Sequence, residues 1–230
     1  MTTFVLIPGA GGSAWYWHLV APKLTAAGHE AIAVDIRQDD PTLGLRDYAD
    51  IVLDAIGERS DVVLAAQSMG AFTAAMVAAR HPVRLMALVN AMVPIPGETP
   101  GQWWDATGQP DALRLADEHA GRRGAFDERI HFLHDLPDEV LEGAPEQRSP
   151  AGTPFDQPCD FPGWSQVNVR SLLGMGDRFF PPAFQRRIAR ERLGIEPDEL
   201  PGGHLIALAN PRGVAQWLMD VAARAGTLSP

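Results

Sequence analysis

The sequence predicts an α/β fold in which helices flank a mainly parallel sheet of about six strands. From residue 1 to about residue 90, apolar β-branched stretches alternate with amphipathic helical stretches, which is the pattern of βαβ units. The stretch 61–66 is largely apolar, as expected of a strand that is buried on both faces of a parallel sheet. A chain of 230 residues with 46% hydrophobic content fits one compact domain with room for a small insertion.

Local signals set the element boundaries in the first part of the chain. The helix that begins at Trp15 has apolar residues at helical spacing and ends before Gly28, a typical C-terminal stop. An Ala-rich helix follows Ser68 and ends before the His81-Pro82 pair, because a residue that precedes proline disfavours the helical conformation. These signals predict strands at 4–8, 30–36, 61–66 and 85–89, and helices at 15–27, 48–56 and 71–80.

The composition changes at Val93, and from there to Trp164 proline, glycine, tryptophan and mixed charges dominate. We interpret 93–164 as an inserted cap or lid. The core domain then comprises 1–92 and 165–230, so that the insertion interrupts the alternation of strands and helices.

Elements after Val93 are shorter and less regular. Within the insertion we expect helical pieces at 127–134 and 137–141 and a Pro-rich loop at 149–163. The core resumes with strands at 169–173 and 199–200 and helices at 182–192 and 211–225, the last with proline near its N-terminus.

Charge and cysteine content argue against several classes of protein. The formal net charge of -10 disfavours a nucleic-acid partner, because binding to phosphates depends on Lys and Arg. The single cysteine, Cys159, can form no internal disulfide, so we expect a cytoplasmic protein. The apolar run 4–7 is too short for a signal peptide and no window is long enough to span a bilayer, so no membrane association is expected. A small, largely apolar substrate fits this profile, and the sequence leaves a homodimer open.

Ser68 lies in the motif that carries most chemical information. Strand 61–66 is followed by a small-x-Ser-x-Gly turn and then a helix, and in this context the serine hydroxyl is presented above the sheet as a nucleophile. Small residues at Ala66 and Gly70 leave room for the strained turn, although the usual motif has glycine in place of Ala66. The alternative is that Ser68 only caps the following helix.

Two later residues complete a nucleophile-acid-base order. A serine hydroxyl is a poor nucleophile without a base, and the base needs an acid to orient it. Asp177 follows the strand at 169–173, and His204 follows the strand at 199–200 in a Gly-rich loop. Taken singly, Asp177 could be a turn or cap residue and His204 a surface histidine. Because all three residues follow strands in the required order, we expect them to act together.

A Gly-rich turn after the first strand is the second expected part of the site. Residues 8–13 match neither the dinucleotide-binding nor the phosphate-loop pattern. With the serine turn beside it, the backbone N–H of Ala10 is expected to pair with that of Met69 and form an oxyanion hole.

Metals and cofactors are not expected. His131, His134 and Asp135 are close in sequence and could suggest a metal site, but they lack a convincing remaining set of ligands, so that helix-surface or cap roles are favoured. Attack by an activated serine requires no cofactor.

The chain resembles the α/β-hydrolase superfamily, in particular the branch of esterases and hydroxynitrile lyases that includes the plant methyl-ester esterases. The resemblance lies in FVLIPGAGGSAWYW at 4–17, AAQSMGAF at 65–72 and the stretch 172–208, which contains GMGDRFFP and PGGHLIAL. It covers nearly the whole chain except the insertion. It implies an α/β-hydrolase fold with a small inserted cap, and ester hydrolysis by Ser68, Asp177 and His204.

Departures from the family pattern bear on the reaction. Members commonly have His-Gly where this chain has Pro8-Gly9. The lyases resemble one another in a threonine at the position of Gly9 and a lysine just after the catalytic histidine, where this chain has Leu205. Both features are absent here, so the resemblance favours ester hydrolysis over cyanohydrin cleavage.

The substrate pocket is the least determined part of the prediction. Apolar groups of the insertion are expected to line it, although they could equally anchor the insertion on the core. A hydroxynitrile lyase and a non-catalytic receptor for a small ligand remain the rival functions. The candidate pocket residues are Gly9, Trp103, Trp104, Phe126, Phe132, Leu133 and Leu205.

Overall fold

Six parallel strands form the centre of the structure, a computed structural model that describes residues 1–146 and 148–226. Their spatial order is β2-β1-β3-β4-β5-β6, and each neighbouring pair is parallel. The sheet therefore confirms the predicted class. The strands are β1 Thr3–Ile7, β2 Glu30–Ala33, β3 Val62–Gln67, β4 Leu85–Val89, β5 Val169–Gly174 and β6 Asp198–Leu200.

Helices cover both faces of this sheet. The core helices are α1 Ala21–Ala26, α2 Leu45–Ile56, α3 Gly70–Ala78, α8 Pro182–Ile188, α9 Ile206–Ala209 and α10 Pro211–Arg224. Residues 93–164, which lie between β4 and β5 and which we call the β4–β5 segment, contain α4 Pro100–Thr107, α5 Gln109–His119, α6 Glu128–His131 and α7 Asp138–Glu142. Short 3-10 helices occur at Ala14–Trp17, Thr153–Asp156 and Trp164–Gln166, and a π-helical turn at Ala189–Leu193.

Two hydrophobic cores lie on opposite faces of the sheet. Val5 and Leu64 belong to the core that contains residues of α2 and α3, whereas Phe4 and Val63 belong to the core that contains residues of α1 and α10. Side chains alternate between faces along a strand, so a strand covered on both sides is apolar at every position. This explains the continuous apolar runs in the sequence. Because all six strands are parallel, their carboxyl ends lie at one edge of the sheet.

The predicted helix at 15–27 is in fact two pieces, Ala14–Trp17 and α1. Pro22 occupies the first turn of α1, where its missing N–H costs no helical hydrogen bond. The predicted helix at 182–192 is α8 followed by the π-helical turn, and it ends at Gly194, whose φ of 69° needs a glycine.

The β4–β5 segment is more helical than its sequence suggests. The predicted pieces at 127–134 and 137–141 correspond to α6 and α7, but the prediction missed α4 and α5. Thr99 and Gln102 form a capping box at the start of α4, a signal that the sequence does contain. Trp103, Cys159 and Phe161 of this segment belong to the core on the α2 and α3 side, so the segment is anchored on the main domain.

Within the described part of the chain, no helix is long and apolar enough to cross a membrane.

Candidate active site

Ser68, Asp177 and His204 meet at the carboxyl edge of the sheet. Ser68 follows β3, Asp177 follows β5, and His204 follows β6. His204 Nε2 lies 3.2 Å from Ser68 Oγ, and its Nδ1 lies 2.9 Å from Asp177 Oδ2. All three residues are buried, at 7%, 3% and 2% exposure in chain order. The hydroxyl, imidazole and carboxylate thus form one hydrogen-bonded chain that is shielded from bulk water.

The turn at Ser68 is strained and tightly packed. The φ of Ser68 is 50°, a left-handed conformation that a non-glycine residue rarely adopts. Its N–H donates to the carbonyl of Val89, and its own carbonyl accepts from the N–H of Met92. Gly70 has no room for a side chain, since an added Cβ would lie 2.5 Å from the carbonyl oxygen of Pro8. The hydroxyl faces His204, and the side chain makes no cap hydrogen bond to α3.

Asp177 is held by donors on both carboxylate oxygens. Oδ1 accepts from the backbone N–H groups of Phe179 and Phe180, each at 2.8 Å. Oδ2 accepts from Gln185 Nε2 at 3.1 Å in addition to the imidazole. A buried carboxylate with four donors is fixed in orientation. Asp177 therefore also closes a turn before α8, but its second oxygen is directed at His204.

Asn90 fixes the loop that carries His204, a role that the sequence analysis did not predict. Its Nδ2 donates to the carbonyls of Gly203 and His204, at 2.9 and 3.0 Å. Its Oδ1 accepts from the N–H of Gly174 at 2.7 Å. Asn90 is completely buried and has a φ of 44°. The available signal was an amide residue directly after the buried strand β4, at the edge where Ser68 lies.

The backbone N–H groups of Ala10 and Met69 were the predicted oxyanion donors. Within residues 1–146 and 148–226, neither N–H donates to a protein acceptor. A second unpredicted residue, Gln38, braces the turn around Ala10: its Nε2 donates to the Gly9 carbonyl at 2.8 Å, and its Oε1 accepts from the Gly11 N–H at 3.0 Å. Gln38 is 1% exposed, so these hydrogen bonds are protected from water.

A cavity of about 1290 Å³ opens onto Ser68 and His204. Tyr16 also lines it; burial raises the pKa of this phenol, which therefore stays neutral, and its oxygen accepts from the Ala207 N–H. The cavity wall is mostly apolar, and its charged residues in the described part of the chain are Asp39, Glu128, Glu146 and Arg148. Among the predicted residues, Ala10, Trp104, Phe126, Phe132, Leu133 and Leu205 line this cavity.

Two candidate pocket residues, Trp103 and Gly9, do not line the cavity. Trp103 is completely buried, its indole N–H donates to the Val93 carbonyl at 3.1 Å, and its ring packs against Phe180 and Phe184. The side of α4 that carries Trp103 faces the core, whereas adjacent Trp104 faces the cavity. Gly9 lies behind the site, where an added Cβ would be 2.8 Å from Ser68 Cβ.

In the described residues, no group of three or more His, Cys, Asp or Glu side chains could hold a metal ion. His131 instead lies 2.9 Å from Asp117 Oδ2 through Nε2 and 2.7 Å from the Asp127 carbonyl through Nδ1. Burial alone would raise the pKa of Asp117, but hydrogen bonds from His131 and Arg122 outweigh it and lower that pKa. These contacts tie α5 to α6 within the β4–β5 segment.

The chain is similar to known proteins over most of its length. A model of the alpha/beta hydrolase family matches residues 4–217. The chain is similar to norfluorocurarine synthase 1 of Strychnos nux-vomica, at 23% identity over 257 aligned positions that cover 95% of this chain and 94% of the relative. It is also similar to methylesterase 7 of Arabidopsis thaliana, at 35% identity over 97 positions, 37% of each chain.

A solved structure shows the same architecture. The crystal structure of polyneuridine aldehyde esterase matches with a TM-score of 0.79 at 20% identity, covering 96% of this chain and 99% of that one. At this identity the likeness establishes the fold alone. Since the family model extends over most of the chain, the expected resemblance is confirmed, and the chain belongs to the α/β hydrolase family.

Proposed function

We propose that the protein is a serine carboxylesterase that acts on a small, largely apolar ester without a cofactor, in the cytoplasm. The observation that carries this proposal is the hydrogen-bonded chain from Ser68 Oγ through His204 to Asp177, with distances of 3.2 and 2.9 Å. Membership of the family and the esterase names of several relatives support it.

Acylation begins when Ser68 Oγ attacks the ester carbonyl carbon and His204 Nε2 takes the hydroxyl proton. Asp177 accepts from Nδ1–H, which keeps the Nε2 lone pair directed at Oγ and stabilises the imidazolium that forms. The N–H groups of Ala10 and Met69 stabilise the oxyanion. His204 then returns the proton to the leaving alcohol as the carbon–oxygen bond breaks, leaving an acyl-enzyme.

Deacylation repeats these steps with water as the nucleophile. His204 takes a proton from the water, whose oxygen attacks the acyl carbonyl, and then returns a proton to Ser68 Oγ as the free acid leaves. We assign the β4–β5 segment, residues 93–164, the role of a lid, because it supplies Trp104, Phe126 and Phe132 to the cavity. Such a wall excludes water from the acyl group and favours apolar substrates.

The rival lyase reaction has less support. Cleavage of a cyanohydrin releases cyanide, which a cation next to the base would stabilise. Leu205, the residue after His204, is apolar and lines the cavity. Among the described lining residues Arg148 is the only Lys or Arg, and its guanidinium already pairs with Asp35 at 3.1 Å.

A fluorophosphonate probe tests the proposal directly. We expect the wild-type protein to be labelled on Ser68, as identified by peptide mass, and to hydrolyse p-nitrophenyl acetate with a burst. Ser68→Ala should abolish both signals. Ser149→Ala is the matched control, since this serine also lines the cavity but has no histidine partner in the described structure.

Each alternative has a distinct outcome in the same assay. Cyanide release from a cyanohydrin without ester turnover would replace the esterase by a lyase. Tight binding of a small apolar molecule, with neither labelling nor turnover, would indicate a receptor on this fold.

A further inference from the structure

Residues 132–135 of the β4–β5 segment lie against the loop that carries His204. The Phe132 ring stacks on the His204 imidazole, with centroids 5.0 Å apart and planes inclined by 22°. Three residues later, Asp135 reaches the backbone of the same loop. The segment between α6 and α7 thus touches both the base and the peptide that precedes it.

Asp135 makes the polar contact between residues 132–135 and the loop that carries His204. Its Oδ2 accepts from the N–H of Gly203, the residue directly before His204, at 2.5 Å. The approach is close: an added Cβ on Gly203 would lie 2.7 Å from Asp135 Oδ1 and 2.9 Å from His134 Cε1. A hydrogen bond from an amide to a carboxylate is stronger than one between neutral groups.

The core holds the opposite side of the same loop. Asn90 donates to the carbonyls of Gly203 and His204, and the Gly176 N–H donates to the carbonyl of Gly202. Core groups therefore bind the carbonyls of residues 202–204, whereas Asp135 binds the Gly203 N–H. Of the hydrogen bonds made by residues 202–204 in the described structure, the one to Asp135 alone comes from the β4–β5 segment.

His134, the residue before Asp135, does not compete with Gly203 for the Asp135 carboxylate. Burial lowers the pKa of His134, Arg178 lowers it further, and the attraction of Asp135 only partly offsets these effects. His134 is therefore mainly neutral at neutral pH. Its Nε2 lies 3.9 Å from Asp135 Oδ1, too far for a hydrogen bond.

We propose that Asp135 is a positioning residue that holds the His204 loop through the Gly203 N–H and so keeps His204 aligned with Ser68. The inference rests on the proposed serine esterase function. Asp135 itself does not line the cavity. Its loss therefore impairs the base without weakening substrate binding.

Steady-state kinetics of Asp135 variants with p-nitrophenyl acetate test this inference. For Asp135→Ala we expect kcat to fall about tenfold to a hundredfold, the effect of losing one charge-assisted hydrogen bond, with KM changed by less than about twofold. Asp135→Asn keeps an oxygen acceptor and should recover kcat to within about threefold of wild type. Glu142→Ala, which removes an exposed carboxylate of α7, is the matched control and should behave as wild type.

Two further measurements separate positioning from folding. The rate of fluorophosphonate labelling should fall in parallel with kcat in Asp135→Ala, because this acylation needs the same imidazole but no turnover. If Asp135→Ala does not fold, Asp135→Glu keeps the charge but displaces the carboxylate, and it should show the same fall in kcat.

The outcomes are distinguishable from failure of the esterase proposal. If the wild-type protein lacks both labelling and ester turnover, the proposed function itself is wrong. If the wild type is active and Asp135→Ala retains kcat within about twofold, or changes KM alone, the positioning role is wrong while the esterase stands.

Discussion

Asn90 donates a hydrogen bond from its side-chain amide to the backbone carbonyl of His204, at 3.0 Å. Because the same side chain also accepts from the Gly174 N–H, one residue joins the ends of β4 and β5 to the histidine loop. The base is thus held through its own backbone as well as through the imidazole contact with Asp177.

Replacing Asn90 should impair both stability and turnover. Asn90→Ala leaves the buried Gly203 carbonyl and the buried Gly174 N–H without partners, and it leaves the His204 carbonyl with only the longer hydrogen bond from Gln67 Nε2, at 3.5 Å. Alanine also tolerates the left-handed conformation less well than asparagine. We expect a loss of about 2 kcal/mol in the free energy of unfolding and a fall of about tenfold in kcat. Urea denaturation and ester kinetics measure these effects.

Ser171→Ala is the control for Asn90→Ala. This serine is also buried, at 8% exposure, but it lies within β5 and away from the histidine loop. It should change kcat by less than about twofold. Equal kcat losses in the two variants would mean that Asn90 acts only through general stability of the sheet.

Asp177→Asn should lower kcat by about four orders of magnitude while preserving the fold. The amide oxygen will remain on the side of the Phe179 and Phe180 N–H groups, because an NH₂ group there would face two donors. The NH₂ group then faces His204 Nδ1, so that Nε2 carries the proton and cannot accept one from Ser68. Measuring kcat and the thermal unfolding midpoint of Asp177→Asn against the wild type tests this prediction. Near-normal turnover would exclude Asp177 from the mechanism.

Much of the geometry of the candidate site could be predicted from sequence, because its side chains follow the carboxyl ends of strands. Ser68, Asp177 and His204 each follow an apolar run, and parallel strands bring such positions to one edge without any knowledge of side-chain packing. The run at 85–89 coincides with β4, and the runs before Ser68 and Asp177 differ from β3 and β5 by only one residue at their ends. The family resemblance, which is confirmed, depends on these same stretches.

The supporting residues could not be predicted in this way. Asn90 binds the backbone of Gly203, 113 positions away, and backbone partners leave no pattern in the sequence. The same holds for Gln38 and for Asp135. The prediction that Trp103 lines the pocket is wrong, because Trp103 and Trp104 are adjacent on helix α4 and therefore face different directions.

Replacing Gln38 should affect the proposed oxyanion hole indirectly. In Gln38→Leu, the Gly11 N–H loses its partner and the Gly9 carbonyl keeps only the Gly12 N–H, so the turn that positions the Ala10 N–H loosens. Removing an oxyanion donor outright typically costs a factor of about 10² to 10³ in kcat, so we expect a fall of about tenfold for this indirect change. Gln38→Glu keeps an acceptor for Gly11 and should be less impaired than Gln38→Leu. An unchanged kcat in both variants would separate Gln38 from the site.

Cys159 should be inert in the folded protein. Burial raises the pKa of its thiol, which is completely inaccessible to solvent and donates to the Phe72 carbonyl. The thiolate is the reactive form, so we expect no reaction with a thiol reagent at pH 8 until the protein is unfolded with guanidinium. The unfolded chain releases this proton near pH 8.5 whereas the folded state retains it, so raising the pH above about 8.5 should favour unfolding. Rapid modification of the native protein would contradict this burial.

Gly70→Ala should move apart the Ala10 and Met69 N–H groups, the two donors of the proposed oxyanion hole. An added Cβ would lie 2.5 Å from the Pro8 carbonyl oxygen, so the turn before Ala10 and the start of α3 must move apart. Overpacking of this kind costs about 1–3 kcal/mol of stability. Because Ala10 and Met69 lie on opposite sides of this contact, we also expect kcat to fall at least tenfold, as the oxyanion loses one well-placed donor.

Gly152→Ala is the matched control for Gly70→Ala, because a Cβ there meets nothing within 4 Å and its φ of -71° suits alanine. It should change stability by less than about 0.5 kcal/mol and leave kcat unaltered. Denaturant unfolding and kcat are measured on both variants. If Gly70→Ala loses stability but keeps full turnover, the spacing of the Ala10 and Met69 N–H groups does not limit the reaction, and the oxyanion is stabilised elsewhere.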